Sequence, residues 1–385
     1  MSSPSASSHR PRLAIIGASG FIGLRATEIL GADPNFIVVP VVRSPSSLAV
    51  LARQPLDWRI TSFLDATALD QALRNCTVCI HAAIGDATQI MRMAEVTYRA
   101  CAAAGVRRLI WLSSASVHGQ NCAPGTDEST PLHDHHPLTY NNAKVRAEWT
   151  LQKLERDGRV EVVRLRPAIV FGPRSRWIAD AAGEIRQGRA AWLNGGRGIC
   201  NSLYVDNLVE AIRLAVVAAR APGEAFLLGD AETVTWRDFL LPIATHLGAD
   251  DSAFADLPFP PVVPERANRL AALTLSPLYR RAGDLIPSRI KRLVKGMKRV
   301  WPEPSPAASA WTLRSSHVAP RLTLEHALLQ QCEWKLPHAR AAERLGYAPR
   351  ISFAEGMRRS LAWLDFSEGR EASPLALPAT GLASR

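Results

Sequence analysis

An open α/β sheet of parallel strands, covered by helices on both faces, is the fold class this sequence predicts. Three observations predict it. Short β-branched apolar runs alternate with helix-like segments as far as Pro167. The runs are nearly continuous in apolar residues, as strands buried on both faces are. A glycine turn follows the first run directly and opens into a helical pattern, residues 14–23 reading AIIGASGFIG. Right-handed crossovers then give a doubly wound sheet, with any ligand outside the strands' carboxyl ends.

The first strand candidate is LAIIG (13–17), and FIGLRATEIL continues behind it with helical spacing. The second is FIVVPVVRS (36–44), the third DWRITSFLD (57–65) and the fourth TVCIHAA (77–83). RRLIWLSS (107–114) makes a fifth and VEVVRLRP (160–167) a sixth. ALDQALRN and MAEVTYRACAAAG read as helices between them. Beyond Pro167 helical segments and loops dominate, with proline-rich loops at 257–265 and 301–309. NSLYVDNLVEAIRLAVV (201–217) is again strand then helix and is expected to return to the large lobe. The expected division is a disordered tail at 1–11 and a dinucleotide-binding domain at 12–173, rejoined by 201–218. A smaller, mostly helical C-terminal substrate lobe follows at 174–200 and 219–365, then a second disordered tail at 366–385.

A chain of 385 residues, 47% hydrophobic, is globular and long enough for two lobes. Its six cysteines show no framework spacing, which suits a reducing compartment. The opening MSSPSASSHRPR has no apolar signal core, and no apolar stretch approaches the roughly 20 residues of a membrane span. A cytoplasmic protein is therefore expected. The net charge of +11 is concentrated: eight basic residues and one acid lie between Arg280 and Arg299. Within 288–301 apolar residues recur at helical spacing among the bases, a basic amphipathic helix. Such a helix fits peripheral contact with an anionic membrane and equally a cap on the smaller lobe with its charges in water. No nucleic-acid-binding module accompanies the charge, so nucleic acid is not an expected partner.

Gly17, Ser19, Gly20, Phe21, Ile22 and Gly23 form the candidate phosphate seat. A helix start presents unpaired N–H groups and partial positive charge, and glycines let a pyrophosphate approach the backbone. A plain glycine turn is the other reading of these residues alone. At the end of the second strand, where a carboxylate suits the ribose hydroxyls of NAD, stands Arg43. A guanidinium there favours the 2′-phosphate of NADP, with NAD the alternative and a solvated surface arginine the plain reading. The segment YNNAK (140–144) puts Tyr140 and Lys144 on one helical face. A nearby ammonium favours the phenolate and readies the group for proton transfer. The fifth strand ends in LSSAS (112–116), which brings Ser113, Ser114 and Ser116 to the same edge.

With these motifs the chain resembles the extended short-chain dehydrogenases/reductases. The matched features are GASGFIG, HAA (81–83), LSSASVHG (112–119), YNNAK, RPAIVFGP (166–173) and LYVDNLVEAI (203–212), in the family's order. The resemblance implies a Rossmann fold and makes Ser114, Tyr140 and Lys144 the catalytic three. It places Lys144 also on the nicotinamide ribose, Pro167 near the nicotinamide, Asp65 near the adenine, and Ala82 and Ala83 beside the dinucleotide. Two departures bear on the substrate. His118 stands where the family has the tyrosine of its VYG triplet, and Gln89 where it often has asparagine. Gln89, Ser116 and His118 are the pocket candidates; a packed or solvated histidine is the plainer reading of His118.

Sugar dehydratases of the family carry Thr-Asp-Glu where this chain has Ser114-Ala115-Ser116, so elimination of water lacks its carboxylates here. Segments 223–248 and 343–364 resemble the 3β-hydroxysteroid dehydrogenase-like branch. That branch implies a secondary alcohol and ketone interconverted on a sterol- or lipid-like small molecule. Two rivals stay open: a nucleotide-sugar epimerase holding NAD tightly, and a non-catalytic dinucleotide-binding scaffold or sensor. No metal site is expected. The Cys76-x-x-Cys79 pair straddles the entry to an apolar strand, and HDHH (133–136) lies in a loop without ligand spacing. A homodimer is compatible with the sequence, which does not decide it.

Overall fold

The computed structural model describes residues 10–52, 55–219, 221–260 and 319–369. The basic segment 288–301 lies outside the described residues, as do 1–9 and 370–385 of the expected tails.

Among the described residues there are thirteen strands: β1 Arg12–Ile16, β2 Ile37–Val42, β3 Arg59–Ile60, β4 Val78–His81, β5 Arg108–Leu112, β6 Glu161–Pro167, β7 Ile169–Phe171, β8 Ala191–Trp192, β9 Ile199–Cys200, β10 Ser202–Tyr204, β11 Ala225–Leu228, β12 Val234–Thr235 and β13 Ala255–Asp256. Seven form one parallel sheet in the order β11-β6-β5-β4-β1-β2-β3. From β1 the chain winds outward through β2 and β3, then returns to β4 on the other side. The strand order therefore reverses between β1 and β4, which opens a crevice at their carboxyl ends.

The alternation of side chains across each strand fills two separate cores. Leu13 and Ile15 of β1 enter one, with α1 (Phe21–Ala32) and the later helix at Val205–Val217; Ala14 and Ile16 enter the other. The second core holds α2 (Ala66–Leu73), α3 (Ala87–Ala104) and α4 (Thr139–Leu154). Two of these helices have capped ends. Asp65 and Asp86 accept N-terminal N–H groups of α2 and α3, and Gly105 ends α3 in the left-handed region at φ 72°. The chain continues through α5 (Arg176–Arg186), α6 (Val205–Val217) and α7 (Trp236–His246). Helices α8 (Leu324–Gln330), α9 (Ala339–Leu345) and α10 (Phe353–Ser367) follow. Among the described residues no helix is long and apolar enough to cross a membrane.

Four expectations are corrected. The third strand shrinks to two residues, because Ser62 accepts the Leu64 N–H in a turn and Asp65 is already capping α2. The boundary at 219 cuts too early: Ala225–Leu228 pairs with β6 and forms the edge of the large sheet. The segment 201–218 splits its allegiance, since β10 pairs with β7 in a small separate sheet while α6 packs on α1. At the far end α10 runs to Ser367 and Glu368 pairs with Arg186, so the ordered chain passes 366.

One buried charge fastens a sheet to its covering helix. Arg108, 2% exposed, donates to the carbonyls of Ala215, Val216 and Ala218 at 2.8, 3.0 and 2.9 Å and pairs with Glu161. It satisfies the carbonyl end of α6, where a cation is also favoured by the helix dipole. Arg108→Met is expected to lower unfolding stability by about 3 kcal/mol, read from urea denaturation, because three buried carbonyls lose their donor. A loss below about 1 kcal/mol would contradict this role.

Candidate active site

The crevice between β1 and β4 receives the glycine turn. Gly17 has φ +84°, and a Cβ there would lie 2.8 Å from the Ala83 backbone. A Cβ at Gly23 would collide with the Gly17 carbonyl oxygen. These two glycines let α1 and the 82–83 backbone close on the turn, and Ala82 N–H donates to Ile16 O at 2.9 Å. Gly20 has another role. It is exposed, it starts α1, and no side chain caps the helix. The first-turn N–H groups around Phe21 and Ile22 thus remain open toward the crevice, with Ser19 half-buried beside them. That arrangement fits a diphosphate.

At the end of β2 Arg43 is exposed, its guanidinium 5.9 Å from the Phe63 ring centroid. Ser44 follows, its hydroxyl bonded to those of Ser46 and Ser47 at 2.9 and 3.1 Å. A cation and three hydroxyls therefore gather at that rim. Asp65 spends one carboxylate oxygen on the N–H groups of Thr67 and Ala68.

Helix α4 carries Tyr140 and Lys144, two of the residues expected to be catalytic. Residues four apart share a face, so Tyr140, Lys144 and Glu148 line up on the side turned toward the sheet. Lys144, 4% exposed, donates from Nζ to Leu112 O at 2.8 Å, which fastens α4 to the end of β5. Its Nζ sits 5.8 Å from the Tyr140 ring centroid. Tyr140 lies near Ser114, whose Oγ accepts from the N–H and hydroxyl of Ser116 at 3.2 and 2.8 Å. The three expected catalytic residues are thus brought together. Burial lowers the Lys144 ammonium to about 8, opposed by Glu148. The phenol is a departure from expectation: burial pushes Tyr140 up to about 12, while Ser114 pulls weakly the other way. The Lys144 ammonium is turned to a carbonyl oxygen, and burial outweighs it.

Beneath this trio lies a charge network that the motif spacing alone did not announce. Glu148, 3% exposed, takes Arg166 in a two-point pair at 3.0 and 2.7 Å and the Ser113 hydroxyl at 2.5 Å. The guanidinium and Ser113 hold the Glu148 carboxyl below its ordinary value against burial. Arg166 also donates to His118 Nε2 at 3.1 Å. An arginine cannot accept, so His118 is neutral with its proton on Nδ1, and burial pushes its pKa down to about 4. His118 is therefore tied to the base of the site. The signal for Glu148 was available as a third residue at four-residue spacing behind Tyr140 and Lys144. Pro167, next to Arg166, is buried at the end of β6.

The other pocket candidates sit at the rim. Gln89, in the first turn of α3, folds its side chain over Gly85. Ile84 between them and Ala83 is 64% exposed. The HDHH loop acts as a brace for α4: His136 Nε2 meets Val117 O at 3.0 Å, and Asn142 clasps the His136 backbone. Gln120 and Asn141, both buried, exchange amide hydrogen bonds beside Tyr140. Cys76 and Cys79 are buried at the start of β4 and within it.

Comparison with known proteins bears on the family and the fold. The model of the NAD dependent epimerase/dehydratase family matches residues 13–229. The UDP-glucose 4-epimerase of Vibrio cholerae is 26% identical over 272 residues, 64% of this chain and 78% of that protein. The 3beta-hydroxysteroid-dehydrogenase/decarboxylase isoform 1 of Arabidopsis thaliana is 24% identical over 274 residues, 68% of this chain. The chain spans 54% of that relative's length. Among solved structures, dTDP-glucose 4,6-dehydratase DesIV from Streptomyces venezuelae, with NAD and TYD bound, superposes with a TM-score of 0.66. It is 19% identical, with 93% of this chain and 98% of that one covered, a likeness of fold.

Gly20→Ala separates seat from scaffold. Its backbone, at φ −76°, accepts alanine, and the added Cβ would meet Gly17 O at 3.3 Å. Unfolding stability is expected to change by no more than about 1 kcal/mol. Dinucleotide affinity, read by nicotinamide fluorescence, is expected to fall at least tenfold, as a methyl enters the phosphate approach. Unchanged affinity would move the phosphate site elsewhere.

Proposed function

The chain belongs to the NAD-dependent epimerase/dehydratase family, and we propose that it interconverts a secondary alcohol and a ketone on a sterol- or lipid-like small molecule, with NADP as the favoured dinucleotide. The observation that carries this reading is the single proton-transferring group at the site. Tyr140 stands with Ser114 and Lys144; the buried carboxylate beneath them, Glu148, is committed to Arg166 and Ser113, and the exposed Glu325 reaches Tyr140 only through its charge. Elimination of water needs a further acid and base, whereas a ketone needs one proton on its oxygen.

A bound nicotinamide would supply hydride for the reducing direction. Tyr140, whose pKa is pushed up to about 12, holds its proton at neutral pH and gives it to the carbonyl oxygen. Ser114 has its own hydroxyl hydrogen to orient that oxygen, since its lone pairs receive Ser116. Lys144 keeps positive charge below about pH 8, close enough to hold ribose hydroxyls and to stabilise the phenolate left after transfer. The open N–H groups of the first turn of α1 hold the diphosphate. Arg43 with Ser44, Ser46 and Ser47 offers the 2′-phosphate a cation and hydroxyls, which is the support for NADP. The exposed Ile84 at the carboxyl edge of β4 supports an apolar substrate, as does the sterol-acting relative.

The test is absorbance at the nicotinamide band with ketosteroids, long-chain β-keto compounds and UDP-sugars in turn. Oxidation of NADPH with the apolar ketones is expected. Turnover of UDP-sugars alone, without net redox change, would replace this reading with that of an epimerase, the activity named for the Vibrio cholerae relative. Tyr140→Phe is expected to lower turnover by about 10²–10⁴ and leave dinucleotide affinity unchanged. A variant that keeps full turnover would remove the tyrosine from the mechanism. Arg43→Glu is expected to weaken NADPH binding by about ten- to a hundredfold relative to NADH. Equal loss for both dinucleotides would place the 2′-phosphate elsewhere.

A further inference from the structure

The six cysteines are all free and buried, but their neighbours differ. Cys122 and Cys332, 210 positions apart, bring their sulfurs to 3.8 Å. Cys122 follows the Ala115–His118 turn, in the stretch whose Gln120 is paired with Asn141 of α4. Cys332 lies just beyond α8 in the C-terminal part of the chain. We propose that Cys122 and Cys332 are a modification site, a dithiol that closes to a disulfide and covalently joins the loop behind Ser114 to the C-terminal segment.

The surroundings hold the two sulfurs facing each other independently of any bond between them. They share a small apolar cluster with Ala115, Leu227 and Leu336. On the Cys332 side its carbonyl accepts from Ile199 N–H at 2.6 Å, and Asn201 reaches Trp334 O and receives Leu336 N–H. Trp334 Nε1 then crosses to Thr126 O at 3.0 Å, on the Cys122 side. With both backbones braced, bonding needs the sulfurs to close from 3.8 Å to about 2.05 Å, a side-chain adjustment.

The two thiols are also unequal. The Cys122 and Cys332 thiols lie within hydrogen-bonding reach of each other, the Asn201 amide approaches the Cys332 sulfur at 3.6 Å, and Cys332 in turn reaches Trp334 O at 3.3 Å. These contacts move the pKa of the Cys332 thiol downward, while the hydrogen bond to Cys332 and then burial push Cys122 well up. Cys332 is then the attacking sulfur and Cys122 the resolving one. With hydrogen peroxide as oxidant, the Cys332 thiolate attacks one oxygen, the O–O bond breaks, and a sulfenic acid and water form after protonation. Cys122 sulfur attacks the sulfenic sulfur, the S–O bond breaks and a second water leaves. Two thiols lose two electrons in all, and peroxide gains them. A small oxidant is apt, since Cys122 is 4% and Cys332 1% exposed.

The test uses the full chain, reduced and then treated with hydrogen peroxide, denatured, alkylated and weighed. The oxidised protein is expected to carry two fewer alkyl groups, regained after dithiothreitol, with a linked peptide pair containing Cys122 and Cys332. Its thermal midpoint is expected to rise by about 5 °C or more, because the bridge restrains a long loop of the unfolded chain. Cys122→Ser is expected to abolish both the paired loss and the shift. Retention of all alkyl groups, a paired loss that persists in Cys122→Ser, or a link between Cys79 and Cys101, which also neighbour one another, would overturn the proposal. The wild-type measurement stands alone if the variant does not fold.

Discussion

The site depends on a buried charge balance. Lys144, Glu148 and Arg166 are each 5% exposed or less, and a charge taken from water must find partners or lose its proton. Lys144 finds a carbonyl oxygen, Glu148 finds a guanidinium and a serine, and Arg166 finds Glu148 and His118. Each link joins a different element: α4 to β5, α4 to β6, β6 to the turn after Ser114. Tyr140 and Ser114 are held at the top of this network because the groups below them have one satisfied arrangement. Breaking the Glu148–Arg166 pair leaves an unpaired buried charge, so that pair fixes α4 against β6.

The second constraint is backbone contact at the sheet's switch point. Gly17 and Gly23 leave no space for a methyl group, and what they permit is the closure of α1 over the ends of β1 and β4. Gly20 is the member of the trio that faces outward. The three glycines thus divide into two that serve packing and one that serves approach. The same crevice ends at Ala82 and Ala83 on one side and at Arg43 on the other, so a dinucleotide lying across it meets both.

Periodicity and order made much of this readable from residues alone. The strands were visible as apolar runs because a strand covered on both faces admits little else. The Tyr140 and Lys144 pairing followed from helical geometry. Glu148 was equally available at the next turn, but a buried acid and an exposed one look alike until Arg166 is seen opposite. His118 was open between pocket and packing, and only the position of Arg166 ties it to the network. The edge strand at Ala225–Leu228 was hidden because a partner strand some sixty residues back cannot be inferred from a short local run. The Cys122 and Cys332 encounter was hidden for the same reason. The Tyr140 shift was misjudged because the direction of a lysine's Nζ, toward Leu112 O, is not written in spacing.

The central claim is that a nicotinamide reaches Tyr140 while its diphosphate rests at the start of α1. A crystal structure of the chain with NADPH measures this directly. The account predicts the diphosphate on the N–H groups of residues 20–22, the ribose hydroxyls on Lys144 Nζ, and the nicotinamide ring beside the Tyr140 hydroxyl. A dinucleotide bound away from the α1 turn, or with its ring remote from Tyr140, would contradict it.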